Sequence, residues 1–390
     1  MSYHQFIVKL RSHYPNIPAV RRTLSKMRIK KIRSRMLPED LARRCEADPA
    51  LKTRTVEEYS QKWEKALAKT FKKMDQIFAD SPAEAENRED ILFCRLAYGF
   101  AAEEYITFGL KDKSPEERKS YISDQERFCY VYQMNDIAEL QSFNDKTKTY
   151  RLLSEYFKRD AVCLEKAADL PAFLAFVEKH PVFVKKNAME SVGRSVELVD
   201  IRETGGTSEE YFNTLIRNGR HILEEKVVQA ECIARFNDSS VNTVRCIALK
   251  TQHGVVLPHC FIRFGRNGSF VDNAGAGGLV ARIDPETGVI VTDGLDRYAA
   301  VYETHPDSGV RFKGFQLPEW EDMQRICREM TAKIPGIRYV GWDMAYSVKG
   351  WAVIEGNGMS QLISPQFLGG KGIKQEFLGY MADMDLITKG

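Results

Sequence analysis

No stretch of this sequence approaches the roughly 18 consecutive apolar residues of a membrane-spanning helix. Its first residues, Met1-Ser-Tyr-His-Gln-Phe6, lack the basic-then-apolar layout of a secretory leader. The eight cysteines stand singly, with no CxxC pair. That argues against a disulfide scaffold and for reduced thiols in a cytoplasmic protein. Nothing closes a phosphate loop with GKS or GKT, no GxGxxG follows a strand, and no GxSxG elbow occurs. His253 and His259 flank no third ligand at metal-site spacing. Neither zinc nor a Cys-His nucleophile built on Cys260 therefore follows. The net charge of +3 is too small to imply nucleic acid. Repeats and low-complexity tracts are absent.

What is present is an ordinary globular composition, 43% hydrophobic and 28% charged, over 390 residues, enough for two or three domains with a sizeable core. Residues 1 to about 130 read as helical. From Glu57 to Phe78, Trp63, Leu67, Phe71, Met74 and Phe78 recur at three and four, which predicts one buried helical face. Ile91 to Leu110 reads as a core helix, and Ser114-Pro-Glu-Glu as a capped helix start. Residues 19–36 hold eight Lys or Arg and no acid. This is the pattern of a solvated basic face or of a peripheral contact with a membrane surface, and no aromatics interleave to stack on bases.

From about residue 136 strands enter. Val182–Lys185 ends on a lysine and runs into the small-residue loop Asn187–Ser195. Val196–Ile201 returns from it, so the loop's backbone N–H groups can cover phosphates and Lys185 can add a point charge. His221–Gln229 is strand-like with two acids in it. Val241–Leu249, Cys260–Phe264 and Ser269–Asp272 follow, then the glycine-rich bend Asn273–Gly278 and a strand-turn-strand over Ala281–Thr292. This C-terminal half predicts a mixed, largely antiparallel sheet with helices, an α+β layout.

The most informative stretch is Gly341–Gly358. Two apolar runs flank a Ser347–Gly350 turn, the signature of a hairpin. Alternation puts Glu355 and Asn357 on one face. A turn centred near Lys349 sets Asp343 opposite Glu355. Two carboxylates and an amide converging without His or Cys suit Mg²⁺ held jointly with phosphates.

In order along the chain, these pieces resemble the ATP-grasp superfamily, and more closely its sugar-transfer-associated branch, related to α-L-glutamate ligases. The resemblance rests on Asp145-Lys146, the Lys185–Ser195 strand end and loop, the acid-bearing strand Ile222–Val228, Asn242-Thr-Val-Arg245, Asp272-Asn-Ala-Gly-Ala-Gly-Gly278 and the Gly-Trp-Asp…Glu-Gly-Asn hairpin. It spans about residues 90–380. It implies an ATP-grasp fold, two α+β lobes sandwiching ATP, preceded by a helical region. The boundaries expected are 1–130 helical, 131–215 for the lobe with the phosphate loop, and 216–390 for the lobe with the hinge and metal-binding hairpin.

The same resemblance implies roles. Lys146 and Lys185 would approach the phosphates. Ser191, Val192 and Gly193 would close over them, although the loop is glycine-poor and Lys186 stands where a Pro commonly follows the lysine. Glu224, Glu225, Lys226 and Val227 would form the hinge that reads adenine, and Gln229 or Glu231 would reach the ribose. Asp343, Glu355 and Asn357 would hold Mg²⁺. Arg245 would face the transferred phosphoryl group or the substrate carboxylate.

The activity implied is an ATP- and Mg²⁺-dependent carboxylate–amine ligase working through an acylphosphate, with a carboxylate and an amine or other nucleophile as substrates and no nucleic-acid partner. Its substrate would be sugar-linked or an amino acid. Bringing two anions together requires charge neutralisation by Lys185, Arg245 and the metal, and an acylphosphate benefits from a site that excludes water. The alternatives are a phosphotransferase with a hydroxyl acceptor, a non-catalytic nucleotide-binding subunit of a glycan-assembly complex, and a basic helical adaptor using residues 19–36.

Overall fold

The computed structural model describes residues 18–189, 196–269, 272 and 277–386, with helices leading and two antiparallel sheets following. The first described helix, α1 (Pro18–Arg33), packs on α2 (Asp124–Met134) and α3 (Ile137–Phe143). Between α1 and α2 a helical subdomain has its own core of Leu67, Met74, Ile91, Phe93, Leu96 and Tyr105. The helix expected over Glu57–Phe78 is divided between Pro49–Lys62 and Glu64–Asp80, with the break at Trp63, while Leu67, Phe71, Met74 and Phe78 of the expected stripe all lie in the second. Ile91–Leu110 is likewise two helices, Arg88–Ala97 and Ala102–Thr107. Gly99 causes that break: its φ of +82° reverses the chain where a side-chain-bearing residue would be strained. The Ser114 start is as expected. Its hydroxyl accepts from the Glu117 N–H, and the Glu117 carboxylate accepts from the Ser114 N–H.

Helix α4 (Lys146–Phe157) leads into a four-stranded sheet of β1 (Ala161–Leu164), β2 (Val182–Asn187), β3 (Val196–Asp200) and β4 (His221–Glu225), in the order β1-β4-β2-β3. Helices α5 (Leu170–Lys179) and α6 (Ser208–Arg217) cover one face through Phe173, Phe176, Phe212 and Leu215, which meet Phe183, Val199 and Leu223. Because β4 lies between β1 and β2, the strand expected to open the second lobe belongs to the first.

Among the described residues, the second sheet has seven strands in the order β11-β10-β5-β6-β7-β8-β9. They are β5 (Thr243–Thr251), β6 (Gly254–Phe264), β7 (Leu279–Ile283), β8 (Gly294–Leu295), β9 (Val301–Tyr302), β10 (Tyr339–Ser347) and β11 (Gly350–Asn357). Helix α7 (Trp320–Lys333) covers its inner face, where Val244, Cys246, Ile262, Val340, Trp342 and Met344 are buried. The Trp342 indole N–H donates to the Thr331 hydroxyl at 2.9 Å, which fixes that face against α7. Alternation then turns Thr243, Arg245, Arg263 and Asp343 to the other face. The expected strand Ser269–Asp272 and the bend Asn273–Gly278 fall largely outside the described residues.

Candidate active site

The hairpin has the register its sequence implies: Asp343 pairs with Glu355 and Gly341 with Asn357, with a bulge after Asp343. The Asn357 amide donates to the Glu355 carboxylate at 3.0 Å, so these two side chains share a face. Asp343 is engaged otherwise. On its far side β5 sets Arg245 in direct register, and the guanidinium grips the carboxylate through Nε and through Nη2 at 2.8 Å. Arg263, from β6, reaches the same carboxylate at 3.0 Å. Burial pushes the Asp343 carboxyl up, but Arg245 and Arg263 outweigh it and hold the group below the ordinary carboxylate range.

Arg263 also ties in a second acid. Asp272 accepts from the Thr243 N–H at 3.0 Å and from its hydroxyl, and lies 3.5 Å from the Arg263 guanidinium. Burial raises the Asp272 carboxyl despite that neighbour. The Arg263 guanidinium is held charged, since Asp272, Asp343 and Glu355 together overcome its desolvation. Arg245 donates in addition to the Ser360 hydroxyl at 2.8 Å. Three carboxylates against two guanidiniums leave one negative charge on this floor. Its least committed oxygens belong to Glu355 and Asn357. Hard oxygen donors there fit Mg²⁺ shared with phosphates, with Glu355 and Asn357 as the holding pair. Asp343 can join them only by releasing its arginines.

The opposite wall is the face of the small sheet turned away from α5 and α6, where Lys186, Ile222 and Glu224 are buried. In β2, Phe183 faces the helices, so alternation puts Lys185 on the helix side and Lys186, which is buried, on the other. Lys185, expected at the phosphates, instead pairs with Glu197 at 2.7 Å. Lys186 pairs with Glu224 at 2.8 Å. Arg159 also reaches Glu224, at 2.9 Å through Nε and 2.7 Å through Nη2, and its Nη1 donates to the Val353 carbonyl on β11 at 2.6 Å. Arg159 thus links the two sheets. Full burial raises the Glu224 carboxyl, but Arg159 and Lys186 overcome it and leave the group lowered. Arg159 carries no motif and goes unnoticed in the sequence, and Lys186 enters there only as a departure from the Pro that commonly follows the lysine. The period-two alternation counted from Phe183 was the available signal for Lys186.

The segment after β4 is fixed to the hairpin tip. Glu225 pairs with Lys349 at 2.9 Å, Val348 N–H donates to Val228 O at 3.0 Å, and Ala230 N–H donates to Tyr346 O at 3.1 Å. Between them Lys226 is exposed and Val227 half-buried. Gln229, expected near ribose, is used structurally. Its amide donates to Ser240 O at 2.6 Å and its carbonyl accepts from Asn242 N–H at 2.8 Å. Glu231 lies exposed in the first turn of the short helix Glu231–Ala234.

Lys146 sits at the start of α4, where Asp145 caps the helix by accepting from the Thr147 N–H at 3.1 Å. Asp145 is bound in turn by Arg220 at 2.5 Å. The Lys146 N–H donates to the Ala188 carbonyl at 2.9 Å. Ser191, Val192 and Gly193 lie outside the described residues.

A family profile described as sugar-transfer associated ATP-grasp matches residues 125–379. Among solved structures, the chain is similar to the ATP-grasp ligase PsnB complexed with a minimal precursor, at 9% identity and a TM-score of 0.41, covering 69% of this chain and 70% of that one. It is also similar to a D-alanine–D-alanine ligase from Bacillus anthracis complexed with ATP, at 11% identity and a TM-score of 0.39, covering 65% and 67%. A third is the N5-carboxyaminoimidazole synthase from Aspergillus clavatus, at 12% identity and a TM-score of 0.38. It covers 66% of this chain, which spans only 55% of the synthase. No curated protein matches the chain. Among the described residues, no helix is long and apolar enough to cross a membrane.

Proposed function

Since the chain belongs to the sugar-transfer-associated ATP-grasp family, we propose that it is an ATP- and Mg²⁺-dependent ligase that activates a carboxylate as an acylphosphate and passes it to an amine or other nucleophile. The observation that carries the reading is the polar floor of the large sheet. Glu355 and Asn357 offer oxygens beside Asp343, and Arg245 and Arg263 stand next to them. When bound, Mg²⁺ would offset the charge of the phosphate oxygens.

The protein's own groups have distinct tasks in this reading. The segment Glu224–Val227, held to the hairpin tip by Lys349, is the edge along which adenine lies. Lys186, buried beside Glu224 on the face of β2 away from the helices, is the cation that serves the phosphates, and Lys146 approaches them from α4. Arg245 and Arg263 receive the two anions that must meet, the γ-phosphoryl group and the acceptor carboxylate. They can do so because each guanidinium offers five donors, more than Asp343 uses. Positioning and charge stabilisation are the main contributions a protein makes to phosphoryl transfer.

Incubation with ATP, Mg²⁺, pooled carboxylic acids and hydroxylamine tests this. A ligase yields a hydroxamate together with ADP, because hydroxylamine captures the acylphosphate. ADP formed with a phosphorylated hydroxyl compound and no hydroxamate would replace the ligase reading with that of a phosphotransferase.

A further inference from the structure

Helix α1 carries a second charged feature, unconnected with the nucleotide site. Residues 19–36 hold eight of the chain's Lys and Arg residues and no acid. With the chain at +3 and these residues at +8, the remainder is at −5. Leu24 is buried in α1 against Ile137, with Met27 and Tyr132 packed around them. At about 100° per residue, Arg22, Lys26 and Lys30 fall on the side away from Leu24, whereas Arg33 turns to the Cys129 thiol of α2. The spacing of four and four between Arg22, Lys26 and Lys30 makes one stripe about 12 Å long, and all three are exposed. Among the described residues, no carboxylate pairs with any of them. Elsewhere many cations are neutralised, as in Lys52–Asp90, Arg118–Asp90 and Lys349–Glu225.

We propose that this stripe docks the protein on an anionic phospholipid surface. Its charges lie in one line on a convex helix, a shape suited to a plane of headgroups. No aromatic residue of α1 is available to stack on a base, which disfavours single-stranded nucleic acid. The apolar side of α1 is already spent on α2 and α3, so the contact is electrostatic and superficial, without insertion. Salt screens such contacts strongly.

Co-sedimentation of the full chain tests this, with vesicles of phosphatidylcholine alone and of phosphatidylcholine mixed with phosphatidylserine. Binding is expected to the mixed vesicles only, and to fall steeply as salt is raised. The double variant Lys26→Gln/Lys30→Gln should weaken it about thirtyfold. The exposed pair Lys69→Gln/Lys72→Gln, on the helix Glu64–Asp80, should change it less than about twofold. Binding that is absent in the wild type, or lost equally in both variants, overturns the proposal. Duplex RNA retained in a stripe-dependent way while vesicles are not would assign the stripe to a nucleic acid instead.

Discussion

Asp343 stands directly across the hairpin from Glu355, yet its carboxylate is held by Arg245 and Arg263. Register brings the two acids together and the neighbouring strands separate their roles. Asp343 organises two guanidiniums on the floor of the large sheet. Glu355, with Asn357, keeps oxygens available for a cation. Removing Asp343 would leave two desolvated guanidiniums without their shared partner, a change that typically costs about 3–5 kcal/mol.

Substitution at Glu355 separates metal from nucleotide. ATP with Mg²⁺, at about 100 times its Kd, should raise the stability of the wild type by about 2.7 kcal/mol. In Glu355→Ala most of the Mg²⁺-dependent part should disappear, while any shift given by ATP alone should persist. Thermal denaturation with and without Mg²⁺ measures both. Equal shifts in the two proteins would falsify Glu355 as a metal ligand.

The two adjacent lysines of β2 should behave differently. Lys186 lies on the face turned away from the helices and Lys185 on the helix side, so Lys186→Gln should weaken ATP binding by about tenfold or more, the worth of one charge-assisted hydrogen bond. Lys185→Gln loses only a half-exposed pair with Glu197, and should stay within about twofold. Titration calorimetry with ATP and Mg²⁺ decides it. A larger loss in Lys185→Gln would restore the lysine that the family resemblance suggests.

That one-residue difference shows where the sequence was legible. The hairpin could be read locally: alternation, two apolar runs and a short turn determine that Asp343 opposes Glu355. The capped start at Ser114 could also be read, because its two hydrogen bonds lie within four residues. By contrast, the partners of Glu224 come from residues 159 and 186, and those of Asp343 from residues 245 and 263. These pairings arise from sheet order, which a local window does not contain. Helix breaks at Trp63 and Gly99 were missed for the opposite reason. The apolar spacing continues across them, and the interruption lies in the backbone.

The buried acids set the pH response. Glu224 and Asp343 sit below their ordinary values, burial being outweighed by their cationic partners. A lowered folded value means that their stabilisation is present above the unfolded value, about 4 for a carboxyl, and is lost as pH falls through the folded value. Asp272 is raised by burial. Its contribution is present at low pH and lost as pH rises through its folded value, which moderates the acid limb. Glu224→Gln should therefore cost about 3 kcal/mol at neutral pH and flatten the fall in stability below about pH 5. Urea midpoints across an acid series test this, and unchanged slopes would remove Glu224 from the account.

Gly356 separates Glu355 from Asn357, and the reason for a glycine there is space. A Cβ at that position would lie 2.4 Å from the Phe143 ring and 2.5 Å from that of Trp342. The two rings already meet edge to face, with centroids 5.6 Å apart. Trp342 is pinned by its hydrogen bond to Thr331, and Phe143 closes the helix α3, so neither ring yields easily. Gly356→Ala should consequently act as an overpacking change, costing about 1–3 kcal/mol. It should also displace Glu355 and Asn357 relative to each other, because the strand has to move away from the rings. The expected outcome is a lower unfolding midpoint together with a smaller Mg²⁺-dependent shift. The control Gly369→Ala, where no atom lies within 4 Å of the added methyl, should alter neither. A Gly356→Ala protein with wild-type stability and a full Mg²⁺ response would mean that the aromatic pair does not fix the geometry of the oxygen ligands.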